Sequence, residues 1–398
     1  MFYFLIYLIL LINALLYFNT TVAERNYKNS ILLALLIFIL VAGLRYEIGV
    51  DYFNYQFHFN NSDPINKLLS ANSTFLQNIF SGWEPGCIIL FSFLKTFFND
   101  AQIVFFVASV ICSILLFKSF KHFVEPQYIF FSLLIYFCFV YMYQEMHALR
   151  QALGACVFYY GITKYPVKKQ VLLYTFLAGC FHYSLWLFLP LIIFINKPIN
   201  IKIQIICIIV GFLIFLLRIP WMSECIIRLG SMFPEFGLVL RLVGYTDGNE
   251  FSRPFFFTFI FYIIPYLLLL FERYREEVIK DEKMVIAYNL YFLYLVFTMY
   301  FWEFSFFSIR YGWICMFGMA VVLPQMIKLF KQPIFPILYI MFFCYIPIRT
   351  FMFPDVTTSQ FTPYENYVSR VVFGKRGTGR ERAERFLKEH GSDKSLKE

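Results

Sequence analysis

The stretch Gly43-Leu44-Arg45-Tyr46-Glu47-Ile48-Gly49-Val50-Asp51-Tyr52-Phe53-Asn54-Tyr55 stands where a long apolar run ends and a polar, aromatic loop begins. Arg45, Tyr46, Glu47 and Asp51 fall within seven positions of one another. A guanidinium and two carboxylates do not remain in hydrocarbon without partners, so the apolar run before them reads as a helix that reaches an interface here. The rest of the chain repeats the pattern. It has 398 residues, 60% apolar and 15% charged, with 54 Phe and 29 Tyr. A soluble domain of this length cannot bury so much apolar surface. The apolar runs are continuous rather than alternating, which excludes a β-barrel pattern. The sequence therefore predicts an all-α, polytopic integral membrane protein. It would have about 10–12 membrane helices, some short or broken, plus interfacial helices.

Candidate spans cover 2–18, 29–44, 101–117, 127–143, 149–163, 171–195, 202–218, 254–271, 284–301, 309–327 and 334–350, with a shorter apolar piece at 84–98. The first run has no Lys or Arg before it and no small-x-small site after it, so it reads as an uncleaved span. Residues 1–365 read as one membrane domain and 366–398 as a basic soluble tail. The net charge of +9 reads as a cytoplasmic loop bias, not as a nucleic-acid surface. Placing the Lys-containing loops inside turns 45–83, 144–150, 218–253, 302–308 and the chain beyond 350 outward. That topology requires 84–98 to lie in the interface or re-enter, and 171–195, with His182 at its middle, to break and return, as helices lining a polar site do; the alternative is one tilted span over 171–195 with the later loops inverted. The mixed segment 218–253 carries apolar residues at helical spacing and reads as interfacial helices.

Most of the nine cysteines lie inside apolar runs without a CxxC pair and read as small buried hydrophobes. Neither a metal site nor a cofactor is expected, because the five histidines form no HExxH or carboxylate-paired set. No GxxxxGKS loop, GxGxxG or GxSxG is present, so nucleotide-driven and serine-hydrolase chemistry have no support.

Ionisable groups at span ends are costly, and each is a site candidate. Arg45 can grip two oxygens of a phosphate or snorkel to headgroups. Asp51 with Tyr52 and Tyr55 offers an acid beside aromatic rings. His147, Arg150 and Gln151 share one helix face, placing a group that moves protons near neutral pH beside a fixed cation. His182 sits alone in an apolar run and either satisfies a local hydrogen bond or faces a cavity. Glu84 precedes Pro85, Arg310 opens a late span near Glu303, and Arg241 lies four residues before Tyr245.

The ordered set of motifs resembles the EpsG-type family of exopolysaccharide polymerases, the Wzy-like membrane enzymes. Gly43-Leu44-Arg45-Tyr46, Gly49-Val50-Asp51-Tyr52 and Tyr55 follow its GxR(Y)xxGxDYxxY signature. Glu84-Pro85-Gly86, His147-x-x-Arg150-Gln151, Phe181-His182-Tyr183-Ser184, Arg310-Tyr311 and Pro363-Tyr364 resemble later landmarks in the same order. Val50 departs from the usual Thr or Ser, and the tail after 374 has no counterpart. The resemblance implies a bacterial cytoplasmic-membrane enzyme that polymerises undecaprenyl-diphosphate-linked oligosaccharide repeats on the outer face. It would pass the growing chain to a sugar hydroxyl. Arg45, Arg150, Arg241 and Arg310 would hold the diphosphate, with Gln151 and Tyr245 beside them. His147, His182, Asp51 or Glu84 would take the proton, and Tyr52 and Tyr55 would stack on sugars. Expected partners are the lipid-linked oligosaccharide, membrane lipids, a chain-length regulator and a flippase, but not nucleic acid. A flippase of lipid-linked oligosaccharide would use the same cations without needing a base. A membrane O-acyltransferase would also use a membrane histidine, but its usual early His or Arg pair is not evident.

Overall fold

The computed structural model describes residues 1–19, 24–68, 70, 75–80, 82–232, 256–355, 358–374 and 377–389. In chain order the helices are α1 (Phe2–Asn19), α2 (Glu24–Gly43), α3 (Asp51–Asn60), α4 (Phe75–Phe80), α5 (Pro85–Phe97) and α6 (Gln102–Phe123). A continuous helical stretch follows, with α7 (Ile129–Tyr136), a π-helical turn (Phe137–Tyr141) and α8 (Met142–Gln144). Next come α9 (Leu149–Ile162), α10 (Lys168–Phe181), α11 (Phe188–Leu191), α12 (Ile201–Leu217), α13 (Trp221–Met232), α14 (Phe256–Leu268), α15 (Glu272–Ile279), α16 (Glu282–Tyr300), α17 (Ser305–Gln325), α18 (Ile334–Met352), α19 (Tyr367–Phe373) and α20 (Gly379–Glu389). Among the described residues no strand forms. A single antiparallel bridge joins Arg45 to Asn366.

Six helical stretches are long and apolar enough to cross a membrane: 26–43, 102–123, 126–144, 282–300, 307–329 and 334–352. Their outer faces carry exposed leucine and isoleucine, such as Leu32, Leu33, Leu36 and Leu40 on α2. Such a stripe is stable only against lipid. Shorter apolar helices cover 2–18, 85–97 and 259–268, and α12 and α13 bend by 80° at a short break. The chain is thus an all-α polytopic membrane protein whose spans include short and broken helices.

Contacts divide the chain into two compact units, Met1–Phe194 with Pro324–Glu398, and Ile195–Leu323. In the first, α6 packs on α2 and α9, α9 on α10, and α1 on α7 and α18. Its centre is the stretch from Ile129 to Met142, where every side chain is buried. The π-helical turn there shifts the register of the helix just before the polar residues Gln144, Glu145 and His147. In the second unit α12 packs on α16, and α15 on α16. Gln204 in that unit accepts hydrogen bonds from the Tyr266 and Tyr288 hydroxyls at 2.8 and 2.6 Å, so its buried amide is satisfied.

α10 stops at Phe181, where His182 takes an extended conformation and a short 3-10 turn (Tyr183–Leu187) follows. The helix expected over 171–195 is therefore broken at His182. Within the tail most described side chains stay exposed or half-exposed. α20 lies against the turn Ser359–Phe361, and Ala383 is buried.

Candidate functional site

α2 ends at Gly43, and the chain turns back against the loop that links the turn Ser359–Phe361 to α19. Tyr46 donates its backbone N–H to the Glu365 carbonyl at 3.0 Å, and Tyr367 donates to Leu44 at 2.8 Å. Val50 donates its N–H to the Gln360 side-chain oxygen at 3.1 Å. The turn requires Gly49, with φ +81°. A methyl group there would also come within 3.0 Å of His147 Nδ1. Asp51 opens α3, where its charge suits the positive end of the helix.

Arg45 is fully buried. Its Nη1 donates to the Ala42 carbonyl at 2.7 Å, and its guanidinium lies over the Phe105 ring at 4.6 Å. Nε and Nη2 are buried without a hydrogen-bond partner. Among the described residues no carboxylate pairs with it, and the phenols of Tyr141, Tyr55, Tyr52 and Tyr364 lie within its electrostatic reach.

Arg150, in the first turn of α9, is held differently. Its Nη1 donates to Glu84 Oε2 at 2.5 Å, and its guanidinium sits 4.5 Å over the Trp83 ring. Glu84 is almost wholly buried and also hydrogen-bonds the Tyr183 backbone. Burial pushes the Glu84 carboxyl above its ordinary range, and Arg150 pulls it back. Tyr55 lies within electrostatic reach of both guanidiniums.

His147 occupies the turn between α8 and α9. Its Nε2 is 3.8 Å from Asp51 Oδ2, and both side chains are partly exposed, at 22% and 33%. The structure thus brings Arg45, Asp51, Tyr55, Glu84, His147 and Arg150 into one cluster, drawn from four segments of the first unit. Gln151 follows Arg150 and is buried.

Other expected residues lie differently. Tyr52 and Tyr55 are each only 2% exposed. Tyr52 stacks on Phe105 with centroids 4.4 Å apart, and its hydroxyl donates to Gln102. These rings are core, not an open sugar platform, because α6 covers them. His182 Nδ1 pairs with the Ser184 hydroxyl at 2.6 Å and caps the turn after α10. Arg310 is half-buried on α17 in the second unit. Glu303 there accepts the Met222 N–H at 2.5 Å and caps α13. Arg241 and Tyr245 lie outside the described residues.

The structure adds Glu145, which sequence reasoning passed over. It is buried, Oε1 accepts the Tyr136 hydroxyl at 2.6 Å, and Oε2 has no partner. Its signal was available: a carboxylate directly after an 18-residue-scale apolar run must be neutralised or solvated there, by roughly the same cost that singled out Arg45. Trp83, the ring under Arg150, carried no such signal.

A family model described as the EpsG family matches residues 28–366. No curated protein and no solved structure matches the chain. The matched region begins near the start of α2 and ends at Asn366, so it contains every residue of the cluster. With that match across most of its length, the chain belongs to the EpsG family.

Proposed function

We propose that this protein joins oligosaccharide repeats carried on undecaprenyl diphosphate into a polysaccharide at the outer face of a bacterial cytoplasmic membrane. The observation that carries the reading is the cluster itself: two guanidiniums beside a partly exposed imidazole–carboxylate pair. Family membership supports a polysaccharide polymerase.

In this mechanism a sugar hydroxyl of one lipid-linked unit attacks the anomeric carbon of the chain on the other. The bond to the diphosphate breaks, and the electron pair leaves with the diphosphate. Arg150 and Arg45 meet that developing charge, where a low-dielectric setting makes each N–H···O contact strong. The hydroxyl proton passes to the His147–Asp51 pair, the accessible titratable pair of the cluster. Glu84 holds Arg150 in place instead of taking the proton, since its carboxylate is already engaged by Arg150 and Tyr183.

Membrane vesicles carrying the full chain, supplied with a lipid-linked repeat and no ATP, should convert the repeat into a ladder of chain lengths. Movement of the repeat across the vesicle without a ladder would reject the polymerase reading in favour of a flippase.

A further inference from the structure

Arg45 presents a problem that the proposed chemistry does not solve. Two of its nitrogens, Nε and Nη2, face no acceptor, yet its side chain is wholly closed off. One carbonyl and one ring face compensate only part of its desolvation cost, which suits a resting site waiting for an anion. The question is what closes it.

Phe105 of α6 covers one side, and the segment after α18 lies over the backbone on another. Tyr364 places its hydroxyl on the Val41 carbonyl at 3.0 Å, beside the Ala42 carbonyl that Arg45 holds. Asn366 bridges the Arg45 backbone, and Tyr3 ties the Phe361 carbonyl down at 2.8 Å. The far end of the segment is fastened by one carboxylate. Glu365 accepts the Thr378 N–H at 3.1 Å, the Thr378 hydroxyl at 2.7 Å and Arg382 Nη1 at 3.1 Å. Gly377 and Gly379 lie flat against Glu47, and a methyl group at 379 would come within 1.9 Å of the Glu47 carbonyl oxygen. Glu365 and Glu47 lie within the residues that the family model matches, whereas Gly377, Thr378, Gly379 and Arg382 lie beyond them.

We propose that the described residues 358–374 and 377–389 form a strap closed over the Arg45 anion site, latched by the Arg382–Glu365 pair, and that a lipid diphosphate reaches Arg45 only when the latch releases. The inference rests on the reading of Arg45 as a diphosphate ligand. Apparent affinity for the anion is then reduced by the fraction of molecules with the strap closed.

The test is equilibrium binding of farnesyl diphosphate to the full chain in lipid nanodiscs, with farnesol as the control lacking the anion. Arg382→Gln and Glu365→Gln should each tighten farnesyl diphosphate binding by about fivefold, the factor that a partly buried ion pair carries. Gly379→Ala, which changes no charge, should tighten it too, and farnesol should not respond. Charge alone predicts opposite signs for the first two variants, because one removes a cation and the other an anion; the latch predicts the same sign. Misfolding cannot mimic the result, since it weakens binding. Opposite signs, or unchanged or weaker binding in both charge variants, would overturn the strap, provided Arg45→Gln abolishes binding. If Arg45→Gln binds like wild type, the diphosphate reading of Arg45 fails, and the strap proposal with it.

Discussion

Arg45 and Arg150 are two solutions to holding a guanidinium in an apolar setting. Arg150 has a carboxylate and an indole face; Arg45 has one backbone carbonyl and a ring of phenols. Removing one partner of a buried pair leaves the other charge uncompensated. Glu84→Gln should therefore destabilise the protein by about 3 kcal/mol, while Glu84→Gln with Arg150→Gln should cost less than the sum of the singles. A double-mutant cycle by thermal unfolding in detergent measures this. Arg45→Gln and Arg150→Gln should each remove the polymer ladder at unchanged membrane expression, and ladders from both would reject the diphosphate assignment. Glu145 gives a pH signature. Burial raises its carboxyl to about 8, so the folded state favours the neutral acid. Its contribution to stability is full below the ordinary carboxylate range and is lost as pH rises through about 8. The unfolding temperature of the wild type should fall from pH 5 to pH 9, with a shallower fall in Glu145→Gln.

At the scale of elements, helices are placed by apolar runs, and their breaks by polar residues. The end of α2 at Gly43 and the stop of α10 at His182 were both legible, because each is a polar group that a straight lipid-facing helix cannot carry. Burial of Tyr52 and Tyr55 was not legible. Which face of α3 meets α6 depends on a partner about fifty positions away, and an aromatic in a polar loop looks open until that partner is known. That an arginine could pair with Glu84 was legible, but which one was not, because Arg150 is 66 residues away. The cluster predicts that positions 60 and 147 share one side of the membrane. Single cysteines there, with the exposed Cys225 replaced by Ser, should react equally with an impermeant thiol reagent added outside. Reaction at only one of them would separate Asp51 from His147 across the bilayer.

At the scale of the molecule, the polytopic helical class followed from composition alone, since 60% apolar residues in 398 admit few alternatives. The docked tail did not follow, because a charged helix end looks the same in water as against Glu365. Arg45 is bridged to Asn366, and Tyr3 is tied to Phe361. The signature loop therefore emerges from the ribosome with its partner residues still more than 300 positions from synthesis, and inserts without them. Non-local closure of this kind comes late in folding. A bulky fusion placed directly after residue 389 adds mass at the last piece to dock, whereas an N-terminal fusion does not. Preparations of the same chain that differ only in which end carries the affinity handle should then differ in how completely the arginine loop closes.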